Sequence, residues 1–245
     1  MSKASASKEA STEVGLAVAE IQKDLVVPDH LASAKGGNDN VDTDDLTIPR
    51  LVVLQDLSPE VKKTNAKHIE GAEAGMIMNT LTKELYSSVR LVNCYYNKEY
   101  LVFKKRLKGG GFFGAYKTVE DAKAFIETQD KVPAQDLEAI ETANHFCLVM
   151  DDNNNVTQRV VFPMTSTKLG VSRSWNSMII NKHADLRPAC IWQISTIPQS
   201  NTKGDFYNLT IGPNQPEWVS PEVLEEALKF SEIASQMETS SITNE

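Results

Sequence analysis

The stretch 95–117 interleaves aromatic with basic side chains in a pattern suited to binding a nucleic-acid strand. Single-stranded nucleic acid is held by cations that follow its phosphates and by aromatic rings that stack on its unpaired bases. Such stacking contributes about 1–3 kcal/mol per base and tolerates any sequence. The candidate binding residues of this stretch are Tyr96, Lys98, Tyr100, Lys104, Lys105, Arg106, Lys108, Phe112, Tyr116 and Lys117.

A single strand over residues 95–103 would divide this stretch into two faces, because side chains alternate along a strand. We expect Leu101 and Phe103, which share one face, to belong to the core. We expect the other face to bind, although aromatic residues are common in strands and the tyrosines could be ordinary edge residues of a barrel. That face carries Cys94, Tyr96, Lys98, Tyr100 and Val102.

A second basic block, residues 156–210, adds the candidate contacts Lys168 and Arg173. Both precede Trp175 in a segment whose apolar spacing predicts a helix, so their cations could lie along a groove. A plain solvated surface explains these two cations equally well. Trp175 and Trp192 are expected to pack in the core.

The charge is strongly segmented along the chain. The formal net charge is −8 and the pI is about 5.1, which excludes a uniformly basic protein that coats nucleic acid by bulk charge. Residues 86–119 nevertheless carry a net charge of +6 and residues 156–210 a net charge of +4, with −7 on residues 120–155 between them. Because fields are local, these numbers are compatible with a basic groove on an acidic body.

The sequence gives no clear sign of catalysis. No G-x-x-x-x-G-K-[ST] loop occurs, and the glycine-rich run 109–114 lies between strand-like segments instead of opening a helix. We interpret that run as a bulge or loop, with packing against a nucleic-acid strand as the alternative. Asp44–Asp45 and Asp151–Asp152 are expected to lie in solvated turns. We therefore expect no enzyme, no metal and no cofactor, although a triad assembled in space would escape this search.

The cysteine pattern and the hydropathy favour a cytoplasmic protein. Cys94, Cys147 and Cys190 are far apart and form no C-x-x-C pair, which indicates reduced, mostly buried thiols. No apolar run approaches the roughly 20 residues that span a bilayer, and residues 1–13 lack the apolar core of a signal peptide. We expect no membrane partner.

The order of the elements predicts a mainly β protein of the α+β class. We expect a flexible segment over residues 1–45 with a short helix near 13–25, a barrel domain over 46–219, and a helix with a mobile acidic tail over 220–245. Seven or eight strands in consecutive hairpins, with two to four helices, favour a partly open antiparallel barrel. This OB-like barrel would have inserted and flanking helices.

Local signals place several elements. Residues 75–86 predict two short strands about a turn, and residues 145–164 predict a hairpin. Thr118 predicts a helix N-cap, and Pro221 predicts the start of the last helix.

Three segments have less distinct patterns. Residues 127–142 are predicted as a helix or a surface excursion, and residues 198–204 as a polar turn between two strands. The expected apolar side of the last helix consists of Val223, Leu224, Ala227, Leu228, Ile233 and Met237.

Five strings carry a family resemblance: IPRLVVLQDLSPEV, GMIMNTLTKELY, KEYLVFKKRLKGGGFFGAYKT, TSTKLGVSRSWNSMI and KGDFYNLTI. Together they resemble bacteriophage single-stranded DNA-binding proteins of the OB-fold type, over about residues 46–212. The resemblance implies single-stranded DNA held on a barrel face during phage replication and recombination. It also implies an acidic C-terminus that meets replication or recombination proteins, although this tail lacks the dense Asp/Glu run typical of such proteins.

Two further hypotheses stay open. The chain could be a phage structural or protein-interaction protein, such as a virion component or a host-factor inhibitor, whose basic blocks contact an acidic protein surface. It could also be an enzyme whose carboxylates converge only in space. If the basic residues of 98–117 and 159–187 line one groove, nucleic acid is favoured, whereas scattered cations favour the interaction protein. Self-association is compatible with each hypothesis.

Overall fold

The structure, a computed structural model, describes residues 47–182, 186–202 and 204–243. The predicted flexible segment over residues 1–45 and its short helix lie outside the described residues. The described part contains nine strands and three helices. The strand count exceeds the seven or eight that we expected.

The elements follow one another as three short strands, six longer ones and three interspersed helices. The strands are β1 (Leu51–Val53), β2 (Ile77–Asn79), β3 (Leu85–Tyr86), β4 (Ser88–Lys104), β5 (Phe112–Tyr116), β6 (Leu137–Met150), β7 (Val156–Thr165), β8 (Cys190–Asn201) and β9 (Gly204–Trp218). The helices are α1 (Val119–Thr128), α2 (Lys168–Lys182) and α3 (Pro221–Thr243).

One antiparallel sheet of six strands forms the body of the protein. Its strand order is β7-β6-β4-β8-β9, and β5 also pairs with β4. The predicted hairpin of β6 and β7 is confirmed, with pairing from Thr142–Thr165 to Met150–Val156. The sheet is strongly curled into a half-barrel. This confirms the predicted mainly β, partly open antiparallel barrel with inserted and flanking helices.

A small sheet, in the order β1-β2-β3, links the two edge strands of the main sheet. Before β1, Arg50 forms a parallel bridge with Val161 of β7. After β1, the side-chain amide of Gln55 donates to the carbonyl of Tyr207 on β9 (2.9 Å) and accepts from the Tyr207 N–H (2.8 Å). Because β7 and β9 are the two edge strands of the main sheet, the small sheet bridges the open side of the half-barrel between them.

Helices α2 and α3 cover opposite faces of the main sheet. Trp175 of α2 packs in a buried cluster with Leu91, whereas Phe230 of α3 packs in a separate cluster with Val92. Adjacent residues of a strand point to opposite faces, so the two helices must lie on different sides. Trp175 and Trp192 are 0% and 5% exposed, which confirms that both belong to the core.

The predicted start of α1 is confirmed. The hydroxyl of Thr118 accepts a hydrogen bond from the Asp121 N–H at 3.1 Å and donates to the Asp121 carboxylate at 2.6 Å. The cap satisfies one of the backbone donors that the first turn of a helix leaves unpaired.

Three predictions about other segments are wrong in part. Residues 137–142 belong to β6, because pairing with β4 outweighs the acidic side chains that obscure the strand pattern. Residues 198–201 continue β8, since they pair with β9 up to a tight turn. The predicted apolar side of α3 is correct at Val223 and Ala227 and wrong at Leu228, which is 45% exposed. Phe230 and Ala234, which were not predicted, are also buried. The helix continues to Thr243, into the segment that we expected to be a polar tail.

The cysteines are free and buried, as the sequence predicted. Burial raises the pKa of Cys94 to about 12 and that of Cys190 to about 11. None of the helices in the described ranges is long and apolar enough to cross a membrane.

Candidate nucleic-acid interface

Strands β4 and β5 form a hairpin whose end concentrates positive charge, and we call residues 104–112 the hairpin tip. The side chain of Leu107 is 99% exposed and that of Phe112 is 61% exposed. The tip therefore presents two large apolar side chains among cations, most of them exposed. The four cations are Lys104, Lys105, Arg106 and Lys108.

Hydrogen bonds hold the tip against a neighbouring turn. Residues 106–108 and 134–136 each form a short 3-10 turn. The Lys105 N–H donates to the Asp136 carbonyl at 2.8 Å, and Lys105 Nζ donates to the Gln135 carbonyl at 2.6 Å. Lys108 Nζ lies 3.7 Å from the Asp136 carboxylate. Because the side chain of Lys105 bonds to a neutral carbonyl, its positive charge is not neutralised there.

Three successive glycines turn the chain from the tip into β5. Gly109, Gly110 and Gly111 have φ angles of 104°, 68° and 128°, which residues with a Cβ rarely adopt. The Lys104 N–H then donates to the Gly111 carbonyl at 2.9 Å and closes the hairpin. Residues 109–111 of the predicted loop are confirmed as a loop, whereas residues 112–114 belong to β5.

Behind the tip, the hairpin brings further candidate residues together. Lys98 Nζ lies 5.6 Å from the centre of the Tyr100 ring, and hydrogen bonding to the Tyr100 hydroxyl raises the pKa of Lys98. Tyr116 on β5 is the register partner of Tyr100, and its ring lies 5.2 Å from that of Phe125 on α1. Lys117 follows and is exposed. Tyr100 and Tyr116 both pack against the buried cluster next to α1, so Lys98 and Lys117 are the exposed members of this group.

The face that we expected to bind is partly a core face. Val102 is fully buried in a cluster with Ala122 of α1 and Leu137 of β6. Leu101 and Phe103, which we expected in the core, are only half-buried. The assignment of these three residues is therefore wrong, because α1 packs on the side of the hairpin that carries Val102.

A β-bulge separates Cys94 from Tyr96. The register between β4 and β6 shifts between Asn93 and Tyr95, which adds one residue to β4. Cys94 consequently packs in the cluster on the α3 side, while Tyr96 packs against the cluster on the α2 side. The expectation that Cys94 and Tyr96 share a face is wrong, since one extra residue reverses the alternation.

Tyr96 is engaged within the protein. Its ring centre lies 5.1 Å from that of His145 and 5.4 Å from the guanidinium carbon of Arg187. The same guanidinium donates to Oδ1 of Asn93 at 3.3 Å and to Oδ1 of Asn176 at 3.0 Å. Tyr96 is therefore a half-buried member of an internal network and not an open stacking surface.

A serine, a histidine and an asparagine in this network are arranged like a catalytic triad. His145 Nε2 lies 2.8 Å from Ser172 Oγ, and His145 Nδ1 lies 2.8 Å from Asn93 Nδ2. Arg187 donates to Oδ1 of Asn93, so the amide nitrogen of Asn93 faces His145 and donates to its Nδ1. The proton of the neutral ring is therefore on Nε2, which donates to the hydroxyl of Ser172. A nucleophilic serine needs the opposite polarity, since it gives its proton to the histidine.

The same three side chains are also closed to solvent. Asn93 and His145 are 0% exposed and Ser172 is 1% exposed. Burial, and to a lesser degree the charge of Arg187, lowers the pKa of His145 to about 3. In this geometry the trio is a buried hydrogen-bond network that joins β4, β6 and α2.

The cations of the second basic block are dispersed. Lys168 is half-buried at the start of α2, where desolvation lowers its pKa, and Arg173 is exposed on the same helix. Arg159 pairs with Glu226 of α3 at 3.4 Å, and Arg187 belongs to the buried network. Within the described residues, the two basic blocks therefore do not line one groove.

Two clefts border α2. The larger, of about 390 Å³, is lined by Lys168 together with Asp56 and Asp205, whose carboxylates oppose the binding of a phosphate. The smaller, of about 350 Å³, lies between α2 and β9 and is lined by uncharged side chains. The described segments contain no group of three or more His, Cys, Asp or Glu residues that could hold a metal ion.

Comparison with known proteins identifies the family. A family model described as Pam3 phage gp34-like protein matches residues 20–240. The chain belongs to this family. No curated protein and no solved structure matches it. The family is one of phage proteins, which agrees with the phage character that the resemblance implied, and its description names no activity.

In this phage protein, Leu107 is an exposed residue of the hairpin tip that the sequence analysis did not single out. The aromatic and basic pattern drew attention to its neighbours, because a leucine is expected in the core by default. Its position between Arg106 and Lys108, shortly before three glycines, was the available signal. An apolar residue in such a setting has no strand or helix face to bury it.

Proposed function

We propose that this phage protein binds single-stranded DNA without catalysing a reaction, and that the β4–β5 hairpin is its contact surface. The hairpin tip, with four cations around two exposed apolar side chains, is the observation that carries the proposal. Such a protein would act in phage replication or recombination. Replication or recombination proteins would then meet the acidic C-terminal helix.

The charge and length of the hairpin support a strand-like polyanion. Asp136 is the acidic partner of Lys108 at the tip, and the other tip cations have no ion pair within the described residues. At roughly 3.3 Å per residue, Lys98 and Lys104 lie about 20 Å apart along β4, enough to follow several phosphates. Phe112 at the tip can stack with a base, whereas the Tyr100 ring is half-buried against the α1 cluster.

A second candidate is a phage structural or protein-interaction role, which the dispersal of the second basic block favours. The tip cations would then contact an acidic protein surface, with Leu107 and Phe112 as apolar anchors. We rank DNA first because the exposed ring of Phe112 lies among cations at the tip, and a single strand offers phosphates to the cations and bases to an aromatic ring.

Fluorescence anisotropy with a labelled oligo-dT of about 30 nucleotides tests the proposal, with duplex DNA of equal length as the control ligand. We expect tight binding to the single strand alone, weakening steeply between about 50 and 200 mM salt. Arg106→Ala should lower the slope of log K against log salt concentration by about 0.7, the value for one lost phosphate contact.

Lys63→Ala is the matched control, because Lys63 is an exposed cation outside the hairpin. It should leave both the affinity and the salt slope unchanged. Absence of binding to oligo-dT at low salt would overturn the proposal. In that case, capture of a defined phage or host protein through the same tip residues would establish the second candidate.

A further inference from the structure

Leu107 has the largest exposed fraction among the exposed large apolar side chains of the described residues. It lies in the middle of the 3-10 turn at residues 106–108, with a cation on either side in the chain. Exposing a leucine forfeits the stabilisation that its burial would give. An apolar side chain held among charges at the end of a hairpin is therefore suited to contact a ligand that is apolar in its centre and anionic at its rim.

The backbone of the tip that carries Leu107 is hydrogen-bonded. The Lys108 N–H donates to the Lys105 carbonyl at 2.8 Å, and the Gly109 N–H donates to the Arg106 carbonyl at 3.2 Å. Both bonds brace the turn that carries Leu107. The Lys105 bonds to residues 135 and 136 fix the turn against the body of the hairpin. The exposed leucine is thus part of an ordered projection.

Phe112 adds a second apolar surface on the returning strand. Its ring lies 5.4 Å from that of Phe103 at an angle of 53°, which supports it from the protein side. The side chain remains 61% exposed, so much of its surface is open to a ligand. Leu107 and Phe112 therefore offer an aliphatic contact and an aromatic contact at one tip.

The end of a DNA duplex has the matching chemistry. A terminal base pair exposes an apolar face between two phosphate chains, and apolar side chains are known to wedge against and unstack base steps. The first unpaired base beside it can stack on an aromatic ring. Arg106 and Lys108 flank Leu107, so they can hold phosphates on both sides of such a contact.

We propose that the hairpin tip recognises the junction between single- and double-stranded DNA, with Leu107 against the terminal base pair and Phe112 on the first unpaired base. This inference rests on the proposed function and specifies its substrate. The protein would then bind a fork or a partly melted duplex in preference to a continuous single strand.

The test compares a forked DNA with dT arms, an oligo-dT and a blunt duplex, using the full chain and one salt concentration. A 2-aminopurine at the last paired position reports unstacking by its fluorescence. We expect the fork to bind at least about fivefold more tightly than oligo-dT, with a rise in 2-aminopurine fluorescence.

Leu107→Ser should abolish the preference for the fork and the fluorescence rise, while its affinity for oligo-dT changes by less than about twofold. Leu81→Ser is the matched control, because Leu81 is 62% exposed and lies beyond β2, away from the hairpin. This control should behave as the wild type in all three assays.

Equal affinity for the fork and oligo-dT, with no fluorescence change, would overturn the junction proposal and leave single-strand binding intact. Failure to bind any of the DNAs would overturn both. Leu107-dependent sedimentation with phosphatidylserine vesicles in the absence of DNA binding would also overturn both, and would assign the tip to a membrane surface.

Discussion

The stability of the protein should fall in mildly acidic solution because His145 is buried in its neutral form. The ring stacks on Trp175 with 4.7 Å between centres and is held by Asn93 and Ser172. Burial and the nearby Arg187 lower its pKa from 6.5 to about 3. The unfolded chain binds a proton at this residue below about pH 6.5, whereas the folded chain does not. The contribution to stability is therefore complete above pH 6.5 and is lost as the pH falls toward 3.

The magnitude follows from the gap between the two pKa values. At pH 5 the unfolded histidine is about 1.5 pH units below its pKa, while the folded one is still neutral. At about 1.4 kcal/mol per unit, His145 should reduce the free energy of unfolding by about 2 kcal/mol between pH 7.5 and 5. Carboxylates such as Glu217, whose pKa is held low by Arg90, lose their contribution only in more acidic solution.

Urea unfolding followed by tryptophan fluorescence at pH 7.5 and 5 measures this loss. The His145→Gln variant should be less stable than the wild type at pH 7.5, because hydrogen bonds of the buried network are lost. It should, however, lack the additional loss of about 2 kcal/mol at pH 5. The control is Thr118→Ala, which removes a helix cap but no ionisable group, and it should keep the wild-type pH dependence. An equal loss in wild type and His145→Gln would refute the reasoning.

Three further predictions concern stability and use the same urea assay. Val102→Ala should lower the free energy of unfolding by about 2 kcal/mol. Leu101→Ala should lower it less, although more atoms are removed, because only Val102 is fully buried. The reverse order would contradict the assignment of faces. Gly75→Ala should lower the free energy of unfolding by at least about 1 kcal/mol more than Gly109→Ala. Both glycines have positive φ angles, but only at Gly75 would a Cβ lie 2.7 Å from the ring of Tyr207 on β9. Equal losses would exclude that clash. Thr118→Ala should lower the free energy of unfolding by about 1 kcal/mol, because the helix cap is lost. An unchanged free energy of unfolding would show that the cap is dispensable.

Elements with a strong local signal could be predicted from the sequence alone. Thr118 and Pro221 each mark a helix start by chemistry confined to one turn. The polar run 151–155 between two apolar stretches marks the turn of the β6–β7 hairpin in the same way. These signals depend on neighbours within a few residues, so no knowledge of the tertiary structure is needed.

Features that depend on pairing between distant residues could not be predicted. The bulge at Cys94 is visible only in the register with β6, and it moves Tyr96 to the other face of the sheet. The burial of Val102 depends on α1, which packs back on the hairpin after leaving β5. The alternating pattern of β4 therefore predicted the strand correctly but assigned several of its residues to the wrong face.

The pairing of β4 explains why the candidate site lies at the hairpin tip. Strand β6 runs along one edge of β4 for nearly its whole length, whereas the other edge is shared by β8 at Ser88–Val92 and by β5 at Tyr100–Phe103. Between these two stretches, Arg187 and the network around Tyr96 approach β4. The outer part of the hairpin thus extends beyond the barrel core and rests on α1 and the 3-10 turn at residues 134–136. Substitutions at the exposed tip therefore remove little buried surface. A lower salt slope in Arg106→Ala, or a lost fork preference in Leu107→Ser, would report on the contact itself.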